Sequence, residues 1–292
     1  MNHISNSSAV LLLNYQRPEL TRKRLHELSL LVSDDLKIVC SIDGISTLNS
    51  QCNKEFQEME NEFSKFEWVK EKKKLGLANH LFVRVSETLQ SYNSVFVVED
   101  DIETCPVAVQ SAIEQIRKIN ANESLTVGLF GALTGKFARY GLSNKWRTTR
   151  YFSAWGWGTR KDVWSEYNLK IVKQHGISSL RGKPLWETLT DMQKSRWVSR
   201  FSRVVDNPQF TWDFQMQFVS WIHNKEHLLP ILRLCDNEGF DDSRASNTKS
   251  YKPRWYFGRK SENLIQRTKS SSYSFEKFMK NLDSYTWIGD RK

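Results

Sequence analysis

Three consecutive acids, Glu99-Asp100-Asp101, directly follow an apolar run at 95–98. A short β-branched run of this kind reads as a buried strand, so the acids fall at its end. Hard divalent cations such as Mg²⁺ or Mn²⁺ take carboxylate oxygens, usually from one or two protein groups together with substrate phosphates. The same residues also suit a solvated turn in which Asp100 or Asp101 caps the next helix, and their types alone leave both readings open. Asp213, in Trp212-Asp213-Phe214-Gln215, stands at the start of a helical stretch over 211–223. A carboxylate there is either a proton acceptor in catalysis or a cap favoured by the helix dipole. A third cluster is the turn Ser153-Ala154-Trp155-Gly156-Trp157-Gly158. Flat aromatic faces at Trp155 and Trp157 with Gly156 between them suit a ring-shaped ligand such as a sugar, and equally suit an aromatic core, so one of the two tryptophans is expected in a site.

The elements that must hold these groups are legible as an alternation. A strand at 9–14 leads through Tyr15-Gln16-Arg17 to Pro18, which is well placed as the first residue of a helix reaching Leu31. A second strand at 37–42 ends at Asp43-Gly44, and Phe56, Met59, Phe63 and Phe66 then recur at helical spacing. A brief strand at 67–69 passes through Lys74-Leu75-Gly76 into a helix over 77–89, and the strand at 95–98 follows. A helix opened by Pro106 and a fifth strand at 125–130 extend the series. The second half is irregular, with a charged helical stretch, the helix at 211–223 and an extended segment at 228–234. This pattern predicts an α/β fold with a mostly parallel sheet flanked by helices, whose ligands bind beyond the carboxyl ends of the strands. Asn14, Arg17, Asp43, Lys74, Gly76, Glu99, Asp100 and Asp101 all fall at that edge.

Composition narrows the class. With 39% hydrophobic and 12% aromatic residues, eleven of them tryptophan, the chain is globular rather than disordered. No apolar run approaches the roughly 18 residues of a membrane span, and the polar start at 1–8 does not read as a secretory signal, so a cytoplasmic protein is expected. Cys40, Cys52, Cys105 and Cys235 form no CxxC pair and read as reduced thiols. The net charge of +10 is unevenly placed: residues 243–292 hold 12 basic and 4 acidic side chains, leaving a nearly neutral body. The expected organisation is one body at 1–242, with halves 1–130 and 131–242, followed by a basic, aromatic extension at 243–292. That extension suits an anionic lipid surface, or a solvated helical tail packed on the body.

Val95 to Pro106, read as VFVVEDDIETCP, resembles the metal-binding strand end of nucleotide-sugar glycosyltransferases with the GT-A fold, a Rossmann-like architecture. It is most similar to the N-acetylglucosaminyltransferase I type and to bacterial surface-polysaccharide transferases. Further segments follow in the same order: VLLLNYQRPE from Val10, SIDG from Ser41, KKLGLANH from Lys73, SAWGWGTRKDVW from Ser153, TWDFQMQF from Thr211 and LRLCDNEGF from Leu232. Over residues 9–245 the resemblance implies a metal-dependent, inverting glycosyltransferase using Mn²⁺ or Mg²⁺ and a nucleoside-diphosphate sugar, with a UDP-sugar favoured. The implied acceptor is a bacterial lipopolysaccharide, capsule or related glycolipid, and the basic extension would hold the enzyme on the inner face of the plasma membrane. Asn14, Arg17 and Asp43 would face the nucleotide, and Lys74 to Gly76 would lie near the donor. Asp101 would be the metal ligand, Glu99 and Asp100 would point to the sugar and ribose, and Asp213 would be the base. Asp241 and Asp242, after Asn237-Glu238-Gly239-Phe240, are the alternatives to Asp213 and would border the acceptor.

Two departures stand out. Met216 replaces the tryptophan usual in the bacterial pattern, and no histidine follows His227, so a late metal-ligating histidine is replaced by water, Asp241, Asp242 or Arg244. His80, His175, His223 and His227 read as ordinary residues. A basic binder of nucleic acid or anionic surfaces is the reading from another class, although strand-end acids do not serve it and no nucleic acid is expected as a partner. A sugar nucleotidyltransferase shares the architecture but needs a Gly-rich triphosphate loop that the first strand lacks.

Overall fold

The computed structural model describes residues 7–31, 35–131, 145–240 and 242–244. Asp241 and the extension beyond Arg244 lie outside the described residues. The first strand, β1 (Ser8–Asn14), is buried along its whole length. Its side chains alternate between two apolar cores, Ala9, Leu11 and Leu13 in one and Val10 and Leu12 in the other, as a sheet covered on both faces requires. Pro18 opens α1 (Pro18–Leu28). There follow β2 (Leu36–Ile42), α2 (Ser50–Glu62), β3 (Glu67–Lys70), α3 (Leu77–Ser91) and β4 (Ser94–Glu99). The series continues through β5 (Ile102–Glu103), α4 (Pro106–Lys118) and β6 (Ser124–Gly128). The second half contributes β7 (Trp146–Thr149), β8 (Trp157–Arg160), the short helices α5 (Lys161–Trp164), α6 (Ile171–His175) and α7 (Pro184–Glu187), then α8 (Asp191–Asp206), α9 (Asp213–His223), β9 (Glu226–Pro230) and β10 (Asp236–Asn237).

Eight strands form one sheet in the order β3-β2-β1-β4-β8-β6-β9-β7. The chain moves outward from β1 to β2 and β3, then returns to the other side of β1 at β4, all in parallel. The connections after β1 and after β4 therefore diverge, and this topological switch opens a crevice at the carboxyl ends of those two strands. Helices α1, α2 and α4 cover one face, and α3 with α5 to α9 the other.

The half beyond β4 is mixed rather than parallel. Strand β8 inserts antiparallel between β4 and β6, with Val95 opposite Thr159 and Phe96 opposite Gly158, and β7 runs antiparallel to β9. Gly158 makes this insertion possible: a Cβ there would lie 2.2 Å from Ile116 Cδ1 and 2.7 Å from the Val95 carbonyl oxygen. The helix expected from Thr211 starts at Asp213. It is tied to the tryptophan turn by Gln217, whose Oε1 accepts from the Phe152 N–H at 2.8 Å and whose Nε2 donates to the Arg150 carbonyl at 2.8 Å. A separate two-stranded ribbon pairs β10 with β5, placing Asn237 opposite Ile102, and the Glu238 N–H donates to the Asp101 carbonyl at 2.7 Å. No helix among the described residues is long and apolar enough to cross a membrane.

Candidate active site

A cleft of about 280 Å³ opens at the switch point. Its walls include Asn14 to Arg17 from the connection after β1, Glu99 to Asp101 from the end of β4, Trp155, and Asp213 at the first turn of α9. Asp101 and Asp213 are 112 positions apart in sequence yet border one cavity.

Arg17 spans the crevice. Its Nη1 donates to Asp101 Oδ2 at 2.9 Å, its Nε donates to Asp100 Oδ2 at 3.3 Å, and its Nη2 donates to Asp100 Oδ1. These three groups are nearly withdrawn from water, with side-chain exposures of 12%, 4% and 10% for Arg17, Asp100 and Asp101. The pairing raises the Arg17 pKa even against the burial that opposes its charge. Burial lifts Asp100 up to about 7, although the Arg17 guanidinium pulls it back down. Glu99 is pushed well above the usual carboxylate range, by burial first and then by Asp101 and Asp100, and Asp213 is among the charges that add to it. Among the described residues the Glu99 side chain has no hydrogen-bond or ion-pair partner. A half-buried, unpartnered acid beside two others is costly to ionise, and it favours a ligand that brings a positive charge or a hydroxyl.

Asp213 accepts the Phe214 N–H on Oδ1 at 3.0 Å, and the Thr211 hydroxyl also donates to that oxygen. No other described residue bonds its second oxygen. Burial raises its pKa, while the bonds from Thr211 and Phe214 and the charge of Arg200 hold it down. The helix start therefore does not leave Asp213 a weakened base, since desolvation outweighs the hydrogen bonds that depress it.

Several expected residues have structural duties. Asn14 donates Nδ2 to the Leu12 and Ser41 carbonyls at 3.1 Å each and accepts the Thr21 hydroxyl at 2.9 Å, so its amide clamps β1 to β2 and α1. Asp43 accepts the Leu75 N–H at 2.7 Å on one oxygen and the Gly76 N–H at 3.0 Å on the other, which pins the turn into α3. Gly44 beside it has φ +61°, and a Cβ there would lie 2.7 Å from Lys74 Cα. The pinned turn holds Lys74 at the cleft, its Nζ 4.1 Å from the centroid of the Tyr15 ring. Gly76 itself is the residue preceding α3, with φ +80°.

The tryptophan turn divides. Trp155 lines the cleft and packs edge-on against Phe130 and Phe240, at centroid distances of 4.7 and 5.9 Å. Trp157 is fully buried, stacked on Trp212 at 5.1 Å and edge-on to Phe152 at 5.5 Å, and so belongs to the core rather than to a ligand site. Gly156 is likewise not in the cleft wall; its φ of +63° turns the chain into β8 beside Leu129. Asp242 also corrects the expectation. Its carboxylate is held by the Arg244 backbone N–H and guanidinium at 2.9 to 3.0 Å, which lowers its pKa, and Arg244 is the residue of the pair that lines the cleft.

Sequence reasoning passed over Tyr15, Gln16, His80, Thr211 and Asn237, all of which border the cleft. His80 sits on α3 with Nε2 2.7 Å from Ser41 Oγ, and burial lowers its pKa to about 4, so the ring is neutral. Its position four residues after Gly76 at a helix start was the available signal.

Glu99, Asp100 and Asp101 supply the hard oxygens that Mg²⁺ and Mn²⁺ prefer. Among the described residues no group of three or more His, Cys, Asp or Glu side chains is arranged to hold a metal. The donor set fits a cation bound by one or two carboxylates and completed by a phosphate-bearing ligand. Arg17 engages only one oxygen of Asp101 and neither oxygen of Glu99, so both acids keep oxygens open to such a cation.

No family model matches the chain, and no curated protein matches it. Among solved structures it is similar to the mannosyltransferase PcManGT from Pyrobaculum calidifontis in complex with GDP-Man and Mn²⁺, at 13% identity over 58% of this chain and 46% of that one, with a TM-score of 0.39. GalNAc-T7 with UDP, GalNAc and Mn²⁺ matches at 11% identity over 79% of this chain and 43% of that one, with a TM-score of 0.48. A mycobacterial protein matches at 12% identity over 54% of each chain, with a TM-score of 0.37. This chain thus spans about half the length of these three structures.

Proposed function

We propose that this protein is a metal-dependent glycosyltransferase that moves a sugar from a nucleoside-diphosphate donor to an acceptor hydroxyl. The observation that carries the reading is the meeting of the β4 acids and Asp213 in one cleft at the switch point of the sheet. Arg17, Lys74 and Arg244 give that cleft the cationic groups a diphosphate needs. Asp101, with Asp100 or Glu99, would hold the cation, which when bound supplies charge neutralisation for the leaving diphosphate.

Asp213 takes the proton of the acceptor hydroxyl. Its burial-raised pKa makes it a stronger base than a solvated aspartate, and the Thr211 hydroxyl and Phe214 N–H fix its orientation. With Asp213 as the base and the β4 acids assigned to the cation, attack opposite the leaving group inverts the anomeric carbon, the outcome that the sequence resemblance implies. Trp155 offers an aromatic face to the transferred sugar. A UDP-sugar donor and a cell-surface glycan or lipid-linked acceptor are the substrate classes that the sequence resemblance favours.

The test is a thermal-shift panel of UDP, GDP and CMP, free and as sugars, with and without Mn²⁺. A nucleoside diphosphate should raise Tm only when Mn²⁺ is present, and Asp101→Ala should remove that dependence. No response to any nucleotide, or an unchanged response in Asp101→Ala, contradicts the proposal.

A further inference from the structure

Asp101 stands in the turn between β4 and β5, so its main chain takes no part in the eight-stranded sheet and has to be held from outside it. The hold comes from the other end of the chain. The Glu238 N–H donates to the Asp101 carbonyl at 2.7 Å, and Asn237 pairs with Ile102. A ribbon of two residues per strand is too short to be stable by itself, and the Glu238 side chain supplies what it lacks. Its Oε1 accepts from Lys23 Nζ at 2.5 Å and its Oε2 accepts from Arg24 Nη2 at 3.1 Å, two residues of α1 that lie 215 and 214 positions before it. Arg24 is fully buried. Its Nη2 is also 3.3 Å from Glu27 Oε1, while its Nε and Nη1 are enclosed without a hydrogen-bond partner among the described residues. A guanidinium so withdrawn from water is bound firmly to the carboxylates that reach it, because breaking such a pair leaves a buried charge uncompensated.

The same helix grips Asp101 a second time. Arg17, the residue before α1 begins, donates to Asp101 Oδ2. The start of α1 therefore fixes the carboxylate, and Lys23 and Arg24 further along it fix the carbonyl through Glu238. Groups behind a metal ligand set its orientation, and losing one typically lowers metal affinity by about 10- to 100-fold. We propose that Glu238, clamped by Lys23 and Arg24, is a positioning residue for Asp101 and so sets the affinity of the cleft for its cation. The cation rests on the glycosyltransferase reading, whereas the clamp rests on the bonds of Glu238 alone. Glu238 does not line the cleft; it acts through Asp101 and Asn237, which do.

The test compares the full native chain, Glu238→Gln and the double variant Arg24→Met with Glu238→Gln. Without metal, hydrogen exchange of the residue 238 amide is followed by NMR. Both variants should exchange about tenfold faster or more, with the amides of β1 unchanged. Unchanged exchange at position 238 overturns the proposal. Mn²⁺ affinity is then measured from the free-ion EPR signal, with and without UDP or GDP, and Tm is recorded. Glu238→Gln leaves the buried Arg24 short of an acid, so Tm should fall by several degrees and Mn²⁺ affinity by about tenfold. The double variant removes the buried charge as well, so Tm should return towards the native value while Mn²⁺ affinity stays low. Recovery of Mn²⁺ affinity together with Tm would show that Glu238 serves stability alone, and it overturns the proposal. A native chain that binds Mn²⁺ neither alone nor with a nucleotide contradicts the transferase reading, and the metal-free exchange then decides the clamp by itself.

Discussion

Arg17 neutralises two buried carboxylates, so removing it should have a cost that a divalent cation can offset. In Arg17→Met the aliphatic stem is kept while the donors to Asp100 and Asp101 are lost. With exposures of only 4% and 10%, the two acids recover little solvation. Breaking a buried pair by removing one partner typically costs about 3–5 kcal/mol. For a chain of this size that corresponds to a fall in Tm of roughly 5–8 °C. Asp100, already lifted by burial, escapes part of the penalty by taking up a proton, so the loss should be smaller at pH 5.5 than at pH 8. Mn²⁺ alone should then stabilise Arg17→Met more than it stabilises the native chain, because the cation no longer competes with a guanidinium. The assay is a denaturation series of both proteins at the two pH values, with and without Mn²⁺. A loss below about 1 kcal/mol, the range of solvent-screened surface pairs, would refute the buried-pair reasoning. An Mn²⁺ effect equal in the two proteins would refute the competition.

Glu99 is held above its ordinary pKa, so the folded state binds its proton more tightly than the unfolded chain, and the stability this brings is lost as pH rises. Glu99→Gln should therefore be more stable than the native chain at pH 8 and keep no advantage at pH 4, as measured by urea denaturation. His80 and His227 act in the opposite sense. Burial lowers them to about 4 and about 3, so stability present at neutral pH is lost as pH falls below about 6.5. Each should add about 1.4 kcal/mol per pH unit to the slope between pH 6 and 5, and His80→Gln should flatten that slope by about one proton. Gly44→Ala, at φ +61° and against the Lys74 backbone, should cost about 2 kcal/mol and weaken nucleotide affinity by displacing Lys74, with circular dichroism melts and the nucleotide shift as readouts.

The half of the fold that binds at the switch point was legible because its strands are continuous apolar runs ending in polar residues. Asn14, Asp43 and Glu99 stand at the ends of β1, β2 and β4, and Pro18 and Pro106 open α1 and α4, as their residue types require. Strand β8 was hidden because it has only four residues, begins with a tryptophan that reads as part of a turn, and contains Gly158, whose role is a close approach across the sheet. The pairing of β10 with β5 spans two residues each, too short for any periodicity to appear. Within the site, residue type marked Arg17, Asp101 and Asp213 as candidates. It could not show that the amide of Asn14 and both carboxylate oxygens of Asp43 are engaged by the backbone, nor that Trp157 turns inward while Trp155 turns to the cleft. Such choices are made by pairings between segments distant in sequence, 27 positions apart for Asn14 and Ser41 and 60 for Val97 and Trp157. Of the groups sequence reasoning passed over, His80 carries the weakest signal, since a lone histidine on a helix is most often a core residue.

The account stands on Asp213 and the β4 acids, which line one cleft, serving one reaction. The direct measurement is nucleotide affinity and sugar release from the same donor, compared between the native chain, Asp213→Asn and Asp101→Ala in the presence of Mn²⁺. Asp213→Asn should bind the nucleotide within about twofold of the native chain and lose transfer and donor hydrolysis by a factor of roughly 100 or more. Asp101→Ala should lose both together. An Asp213→Asn variant that turns over at the native rate, or an Asp101→Ala variant that binds the nucleotide unchanged, would contradict the shared site.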